Sequence, residues 1–152
     1  TLKGAATKVV DLRGRALLPG FIDGHGHVGN AIEFQRYRFL RTPDVKGIAD
    51  IVAALRAHAT KLGIKPGEWI VGNGYEPGLL TEKRHPTAEE LDQVSTTSPV
   101  YVIHSSGHLG AANHKALEMS GFTAASADPA GGVIGRKPGS REPNGVLEEN
   151  AH

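Results

Sequence analysis

The chain has 152 residues, of which 39% are hydrophobic and 22% are charged, and its formal net charge is +1. This composition is that of a folded domain large enough to bury a core, and it excludes an intrinsically disordered chain. The basic residues are scattered, which argues against a nucleic-acid partner. Cysteine is absent from the sequence, which excludes disulfides and thiolate metal sites.

The sequence shows no apolar stretch near the roughly 18 residues that a membrane helix needs, and no recognisable signal peptide. We therefore expect a cytoplasmic protein with no membrane partner. The chain begins at Thr1 rather than at a methionine, which indicates a piece of a longer protein.

The first predicted elements precede residue 24. The stretch "TKVVDLRGRALLPGFID", residues 7–23, predicts two short strands around a polar turn at Asp11, Arg13 and Gly14. The second of these strands leads directly into the histidine-containing sequence "GHGHV".

His25 and His27 have the i, i+2 spacing that places both side chains on one face of a strand, together with Asp23. Two imidazoles on one face can reach the same metal ion, and Gly24 and Gly26 leave room for a ligand. The alternative is that both histidines are polar residues of a loop after a buried strand. The apolar, turn-rich context favours metal ligands.

Two helices are predicted next. Residues 31–40, "AIEFQRYRFL", could form an amphipathic helix, and residues 42–64 predict a longer helix that stops at Gly63. The stretch "EWIVGNG" predicts a strand that runs into a glycine turn, with Trp69 as its core anchor and Tyr75 exposed after it.

The remaining elements alternate in type. "TAEELDQVS" predicts a short helix capped by Thr87, "PVYVIHSSGH" a second strand, and "ANHKALEMSGF" a helix that stops at Gly121. The Gly- and Pro-rich tail has only one short apolar stretch. Helices thus alternate with two or three strands, and the fold class is a small α/β unit.

The sequence resembles the amidohydrolase superfamily at "VVDLRGRALLPGFIDGHGH", and further motifs narrow the resemblance to the amidohydrolase family 3 (YtcJ-like) branch. These motifs are "GEWIVGNGYEP", "RHPTAEELDQVSTTSPVYVIHSSGHLGAANHKALEMSGF", "DPAGGVIGR" and "PNGVLEENA". They follow the order of that branch and cover nearly the whole chain.

The resemblance implies a fragment of a (β/α)8 metal-dependent hydrolase with an α/β insertion after the first barrel strand. Residues 1–17 would belong to a small β-sandwich, residues 18–30 to the first barrel strand, and residues 31–145 to the insertion subdomain. Residues 146–152 would begin the return to the barrel. A complete barrel needs about 250 residues, so this chain cannot contain one.

The resemblance also implies a mechanism in which one or two divalent ions, with zinc the first candidate, activate water to cleave amide or N-acyl C–N bonds. His25 and His27 would bind the metal, and the general-base aspartate would lie beyond this chain. With two imidazoles alone, we expect the isolated chain to lack bound metal and activity. Glu148 would either approach the metals or be a solvated carboxylate at a helix start.

Four further residues could line the substrate mouth, and their partner would be a small amide-type molecule. For His104, His108 and Asn113, the alternative is that their hydrogen bonds fix the turn before the next helix. His104 and His108 are four residues apart, but the sequence around them predicts a strand followed by a turn and not a helix that would pair them on one face. These residues are Tyr75, His104, His108 and Asn113. A non-catalytic lid or oligomerisation module derived from such an enzyme is the other function considered, and the apolar N-terminal strands make a homo-oligomer possible.

Overall fold

A computed structural model describes residues 3–22, 24–27, 29 and 34–152 of the chain. Six strands and three α-helices follow one another within residues 34–152, with two short 3-10 helices at Phe34–Arg36 and Pro77–Leu79. In chain order they are β1 (Arg38–Phe39), α1 (Ile48–Leu62), β2 (Ile70–Tyr75), α2 (Ala88–Asp92), β3 (Val100–His104), β4 (Leu109–Ala112), α3 (His114–Met119), β5 (Gly132–Arg136) and β6 (Pro143–Glu149).

All six strands form one mixed sheet in the order β1-β2-β3-β4-β6-β5. The first three strands are parallel, and the pairs β3–β4, β4–β6 and β5–β6 are antiparallel. Because β1, β2 and β3 run in the same direction, their carboxyl ends meet at one edge of the sheet. This edge brings together the residues that follow Phe39, Tyr75 and His104.

Helix α1 forms where the sequence predicts the longer helix. Its buried residues recur at helical spacing and pack on the sheet, and the helix ends at Gly63, which adopts a left-handed conformation with φ 63°. At its start, the Asp50 carboxylate accepts the N–H groups of Lys46 and Gly47 at 2.8 and 3.1 Å. The buried residues are Ile48, Ile51, Val52 and Leu55.

The predicted short helix is also confirmed. In α2, the Thr87 hydroxyl accepts the N–H of Glu90, and the Glu90 carboxylate accepts the N–H of Thr87. This reciprocal capping box satisfies two N–H groups that the first helical turn leaves unpaired. Helix α3 likewise forms within its predicted stretch, and both helices contribute to a second core cluster with Ile134 and Leu147.

The predicted helix over residues 31–40 is wrong for its described part. Residues 34–36 form a 3-10 turn, and Arg38 and Phe39 pair with Gly72 and Asn73 as an edge strand. Pairing with β2 therefore overrides the local helical pattern. Residues 31–33 of that prediction lie outside the described residues.

The environments predicted for Trp69 and Tyr75 are also wrong. Trp69 is 46% exposed, whereas Tyr75 is fully buried. The side chains of β2 alternate between the two faces of the sheet, beginning with the buried Ile70. Trp69, one residue earlier, therefore faces away from the core. A bulge at Gly74, with φ 92°, then shifts the register between Asn73 and Tyr75 and turns the phenol inward.

The N-terminal segment contains hydrogen-bonded turns but no strand in its described residues 3–22 and 24–27. The two strands predicted for residues 7–23, and the barrel strand predicted from residue 18, are therefore absent from this part. A strand requires a hydrogen-bonded neighbour, and no described segment pairs with these residues. Their apolar side chains are 64–105% exposed: Val9, Val10, Leu17, Leu18, Phe21 and Ile22.

The tail forms a β-hairpin that the sequence pattern did not predict. Strands β5 and β6 pair antiparallel, and β6 also pairs with β4 in the interior of the sheet. The predicted boundary between residues 145 and 146 therefore falls inside a strand of the main sheet. Among the described residues, no helix is both long and apolar enough to span a membrane.

Candidate functional site

His25 and His27 bring two ring nitrogens together on an exposed stretch of chain. Their Nε2 atoms are 2.9 Å apart, and the rings meet edge to face with centroids 4.7 Å apart. Both side chains are exposed, and each histidine directly follows a glycine, Gly24 or Gly26. The two imidazoles therefore approach each other without the strand that the sequence predicts, and their binding of a metal stays a prediction. Asp23, predicted to share their face, lies outside the described residues.

The geometry of this histidine pair fits two ligands of one metal ion. With metal–nitrogen bonds of about 2.0–2.1 Å, nitrogens 2.9 Å apart subtend about 90° at the metal, smaller than a tetrahedral angle. The same distance is an ordinary hydrogen bond between the imidazoles when no metal is bound. Within the described part of the chain, no group of three or more His, Cys, Asp or Glu residues can hold a metal. The described residues therefore offer this histidine pair as two candidate metal donors, fewer than a complete ligand set.

A second polar group lies at the carboxyl ends of β2 and β3. Glu76 follows β2 and His104 ends β3, and the His104 Nε2 atom is 3.2 Å from Glu76 Oε2. The same carboxylate oxygen accepts the hydroxyl of Ser105 at 2.8 Å. The predicted turn after His104 is confirmed, and the parallel order of β2 and β3 places these residues together.

The hydrogen bonds fix the tautomer of His104. The N–H of Ser106 donates to His104 Nδ1 at 3.0 Å, so Nδ1 is an acceptor. Nε2 therefore carries the proton and donates it to Glu76. Hydrogen bonds from Ser105 and from the N–H of Gly78 hold the pKa of the Glu76 carboxyl below its usual range, and His104 contributes to the same shift.

His85, to which the sequence assigned no role, belongs to this polar group. Its Nδ1 is 2.9 Å from the Tyr75 phenol oxygen, and its ring centroid is 6.1 Å from that of His104. Burial, and then the neighbouring His104, lower the pKa of His85. The sequence carries no periodic signal for this contact, because His85 lies in the loop before Pro86.

His108 directly precedes β4 at the other side of the turn, and Glu148 lies on the neighbouring strand β6. His108 Nδ1 is 3.2 Å from Glu149 Oε2, and both side chains are largely exposed. Glu148 is exposed on β6, opposite Leu109 on one neighbour and Val133 on the other. The helix start considered for Glu148 is therefore wrong, because the residue belongs to a strand. Its role as a metal ligand stays a prediction.

Asn113 occupies the interior and not a surface. Its Oδ1 accepts the N–H groups of Val100 and Ala116 at 2.9 and 2.8 Å, and its Nδ2 donates to the carbonyls of Ser95 and Ser98 at 2.8 and 3.1 Å. The side chain is fully buried. This arrangement matches the alternative in which Asn113 fixes the turn before α3.

The chain is similar to amidohydrolases along nearly its whole length. A model of the amidohydrolase family matches residues 8–152. The N-substituted formamide deformylase of Arthrobacter pascens is 34% identical over 153 residues, covering 99% of this chain and 28% of that protein. The putative amidohydrolase YtcJ of Bacillus subtilis strain 168 is 29% identical over 145 residues, covering 95% of this chain and 26% of that protein.

Solved structures show a similar fold. An uncharacterized metal-dependent hydrolase from Pyrococcus horikoshii OT3 superposes with a TM-score of 0.57 at 23% identity, covering 88% of this chain and 22% of that chain. A second one, from Pyrococcus furiosus, superposes with a TM-score of 0.56 at 22% identity. The chain spans between a quarter and a third of the length of the two curated relatives named above.

Proposed function

This chain belongs to the amidohydrolase family, and we propose that it is the first part of a longer metal-dependent hydrolase that cleaves amide or N-acyl C–N bonds. The convergence of two exposed imidazole nitrogens at His25 and His27 carries the proposal. The similarity to a formamide deformylase supports the substrate class. We place the enzyme in the cytoplasm.

In this enzyme, His25 and His27 bind a divalent metal through neutral Nε2 atoms, and zinc is the first candidate for one or two ions. Such a metal, when bound, polarises a carbonyl group and lowers the pKa of water. The residues of this chain hold and orient it. The remaining ligands and the general-base aspartate would lie beyond this chain, and Glu148 is a further candidate ligand within it.

On this proposal, the 152-residue chain by itself binds zinc more weakly than about micromolar and hydrolyses no amide, because two imidazoles are fewer than the roughly three protein ligands of a catalytic zinc site. Titration with Co²⁺, followed by its visible absorption, and with Zn²⁺, followed by calorimetry, measures this. The H25A/H27A variant should lose the residual binding, and the matched variant His114→Ala should keep it. Micromolar or tighter binding that the double variant abolishes would show that the chain completes its own site.

The activity itself is tested on the full-length protein, with metal analysis and a panel of formamides and N-acyl compounds. We expect metal-dependent hydrolysis that falls to background in His25→Ala and in His27→Ala, while His114→Ala stays active. A metal-loaded, folded protein that hydrolyses nothing on such a panel would contradict the proposal.

A non-catalytic lid or oligomerisation module is the second candidate, because residues 34–152 contain a complete sheet with two core clusters of their own. The exposed apolar residues of the N-terminal segment could then pair with a second copy. Size measurement of the 152-residue chain distinguishes the cases: a concentration-independent monomer argues against self-pairing.

A further inference from the structure

A small cavity of about 280 Å³ lies where the three parallel strands end. Arg41 follows β1, Glu76 follows β2 and Ser105 follows β3, and all three line this cavity. In open α/β sheets, ligands bind in the crevice outside the carboxyl ends of parallel strands. Drug-sized ligands occupy about 300–1,000 Å³, so this cavity suits a smaller molecule.

Arg41 supplies a cation with open hydrogen-bonding capacity. Its guanidinium carbon lies 5.6 Å from the centroid of the Phe39 ring, which orients the group. Its Nε lies 2.9 Å from the position that a Cβ on Gly74 would occupy, so the arginine side chain passes closely over this glycine. Within the described residues, the Arg41 side chain makes no hydrogen bond or ion pair. Its five N–H groups are therefore available to an anionic ligand.

Glu76 supplies an anion with one acceptor position left. Its Oε2 accepts from Ser105 and His104, and its Oε1 accepts from the N–H of Gly78. A carboxylate has about four lone-pair positions, so one on Oε1 remains. These hydrogen bonds keep the Glu76 pKa low, and the group is negatively charged at neutral pH. Arg41 and Glu76 form no ion pair with each other.

Apart from Thr42, the rest of the cavity wall is apolar. Leu40, Val45 and Leu80 line it, and each is at most 2% exposed. A ligand that matches the whole cavity carries a carboxylate, an ammonium group and a short aliphatic chain. We propose that this cavity binds a zwitterionic α-amino acid with an aliphatic side chain, with its carboxylate on Arg41 and its ammonium group on Glu76.

This inference does not depend on the proposed hydrolase activity, because its test measures binding alone. The 152-residue chain is titrated with leucine, as the L- and D-enantiomers, and followed by calorimetry and backbone amide NMR. 4-Methylpentanoate, which is leucine without the ammonium group, and 3-methylbutylamine, which is leucine without the carboxylate, are the matched probes. We expect one enantiomer of leucine to bind at least about tenfold more tightly than either probe, because each probe loses one charge-assisted contact.

Variants assign the contacts. Arg41→Met should weaken leucine binding by about tenfold or more, whereas Arg56→Met, an exposed arginine on α1, should leave it unchanged. Glu76→Gln should weaken leucine binding but not that of 4-methylpentanoate. H25A/H27A should bind leucine normally, which separates this site from the proposed metal site.

Three results would overturn the proposal. The first is the absence of saturable chemical-shift changes in the backbone amides around the cavity at leucine concentrations up to about 10 mM, which would correspond to very weak binding. The second is 4-methylpentanoate binding as tightly as leucine. The third is equal binding by the Arg41→Met and Arg56→Met variants.

Discussion

The phenol oxygen of Tyr75 lies 2.9 Å from Nδ1 of His85, and this contact joins the buried end of β2 to the loop before α2. Burial raises the pKa of Tyr75 above its usual range, and burial lowers that of His85. The phenol is therefore protonated and the imidazole neutral at neutral pH. Tyr75 donates the hydrogen bond, and the proton of His85 is on Nε2.

Removing the phenol oxygen should destabilise the fold modestly. Tyr75→Phe keeps the ring in the core but loses the hydrogen bond, and we expect the free energy of unfolding to fall by about 0.5–1.5 kcal/mol. Urea denaturation at pH 7.5 measures the change. In a double-mutant cycle with His85→Gln, the two changes should be non-additive, since they remove the same bond. Additive effects would show that the contact contributes no free energy.

Stability should depend on pH through His85. Its pKa is lower in the folded protein than the usual value of 6.5, so the unfolded chain binds the proton first. Above pH 6.5 this effect is absent. As the pH falls below 6.5 the free energy of unfolding should decrease, and the decrease ends below the folded-state pKa.

Unfolding curves measured from pH 7.5 to 5 in wild type and His85→Gln test this dependence. The variant should show the shallower slope over that interval. Some slope should persist, because burial also lowers the pKa of His152 beside Tyr101. Parallel slopes in the two proteins would rule out His85 as a source.

The predictions that succeeded rest on local signals. The apolar spacing of α1 and the glycine at its end lie within one stretch of sequence, and so does the Thr87–Glu90 capping box of α2. The close approach of His25 and His27 is local in the same way, since two residues in an i, i+2 relationship approach each other without help from the fold, and their role as metal ligands stays a prediction.

The predictions that failed depend on distant partners. Arg38 and Phe39 form a strand only because β2 lies beside them, and β6 forms between β4 and β5. The burial of Tyr75 depends on a bulge at Gly74, and a one-residue shift reverses the face of every later side chain. The contact of Glu76 with His104 and Ser105 requires the parallel order of β2 and β3, which sequence pattern does not specify.

The stability of the chain should reside in residues 34–152. Leu55 is fully buried in α1, whereas Leu18 is 74% exposed in the N-terminal segment. Leu55→Ala should lower the free energy of unfolding by about 2–5 kcal/mol through lost burial and a cavity. Leu18→Ala, the same chemical change, should stay within about 0.5 kcal/mol. Chemical denaturation of both variants measures the difference, and a comparable loss in Leu18→Ala would show that the N-terminal segment packs on the core.

Asn113 should be the most sensitive polar position of the domain. Its amide accepts two backbone N–H groups and donates to two backbone carbonyls, and these four hydrogen bonds join β3, the preceding loop and α3. Because the side chain is fully buried, water is not in place to form these hydrogen bonds instead. Asn113→Ala should therefore lower the free energy of unfolding by about 2–4 kcal/mol, combining a lost helix cap with unsatisfied buried groups. The exposed amide Gln93→Ala is the matched control and should have little effect.

A second substitution separates the acceptor from the donor role of Asn113. Asn113→Asp keeps the oxygen that caps α3 but places a carboxylate oxygen against the carbonyls of Ser95 and Ser98. It should destabilise the fold at pH 7 and recover part of the loss at low pH, where a protonated carboxyl can donate again. Thermal unfolding at pH 7 and pH 4, with wild type as the reference at each pH, measures this recovery. If Asn113→Ala and Asn113→Asp both unfold like wild type, the buried amide does not hold β3 to α3.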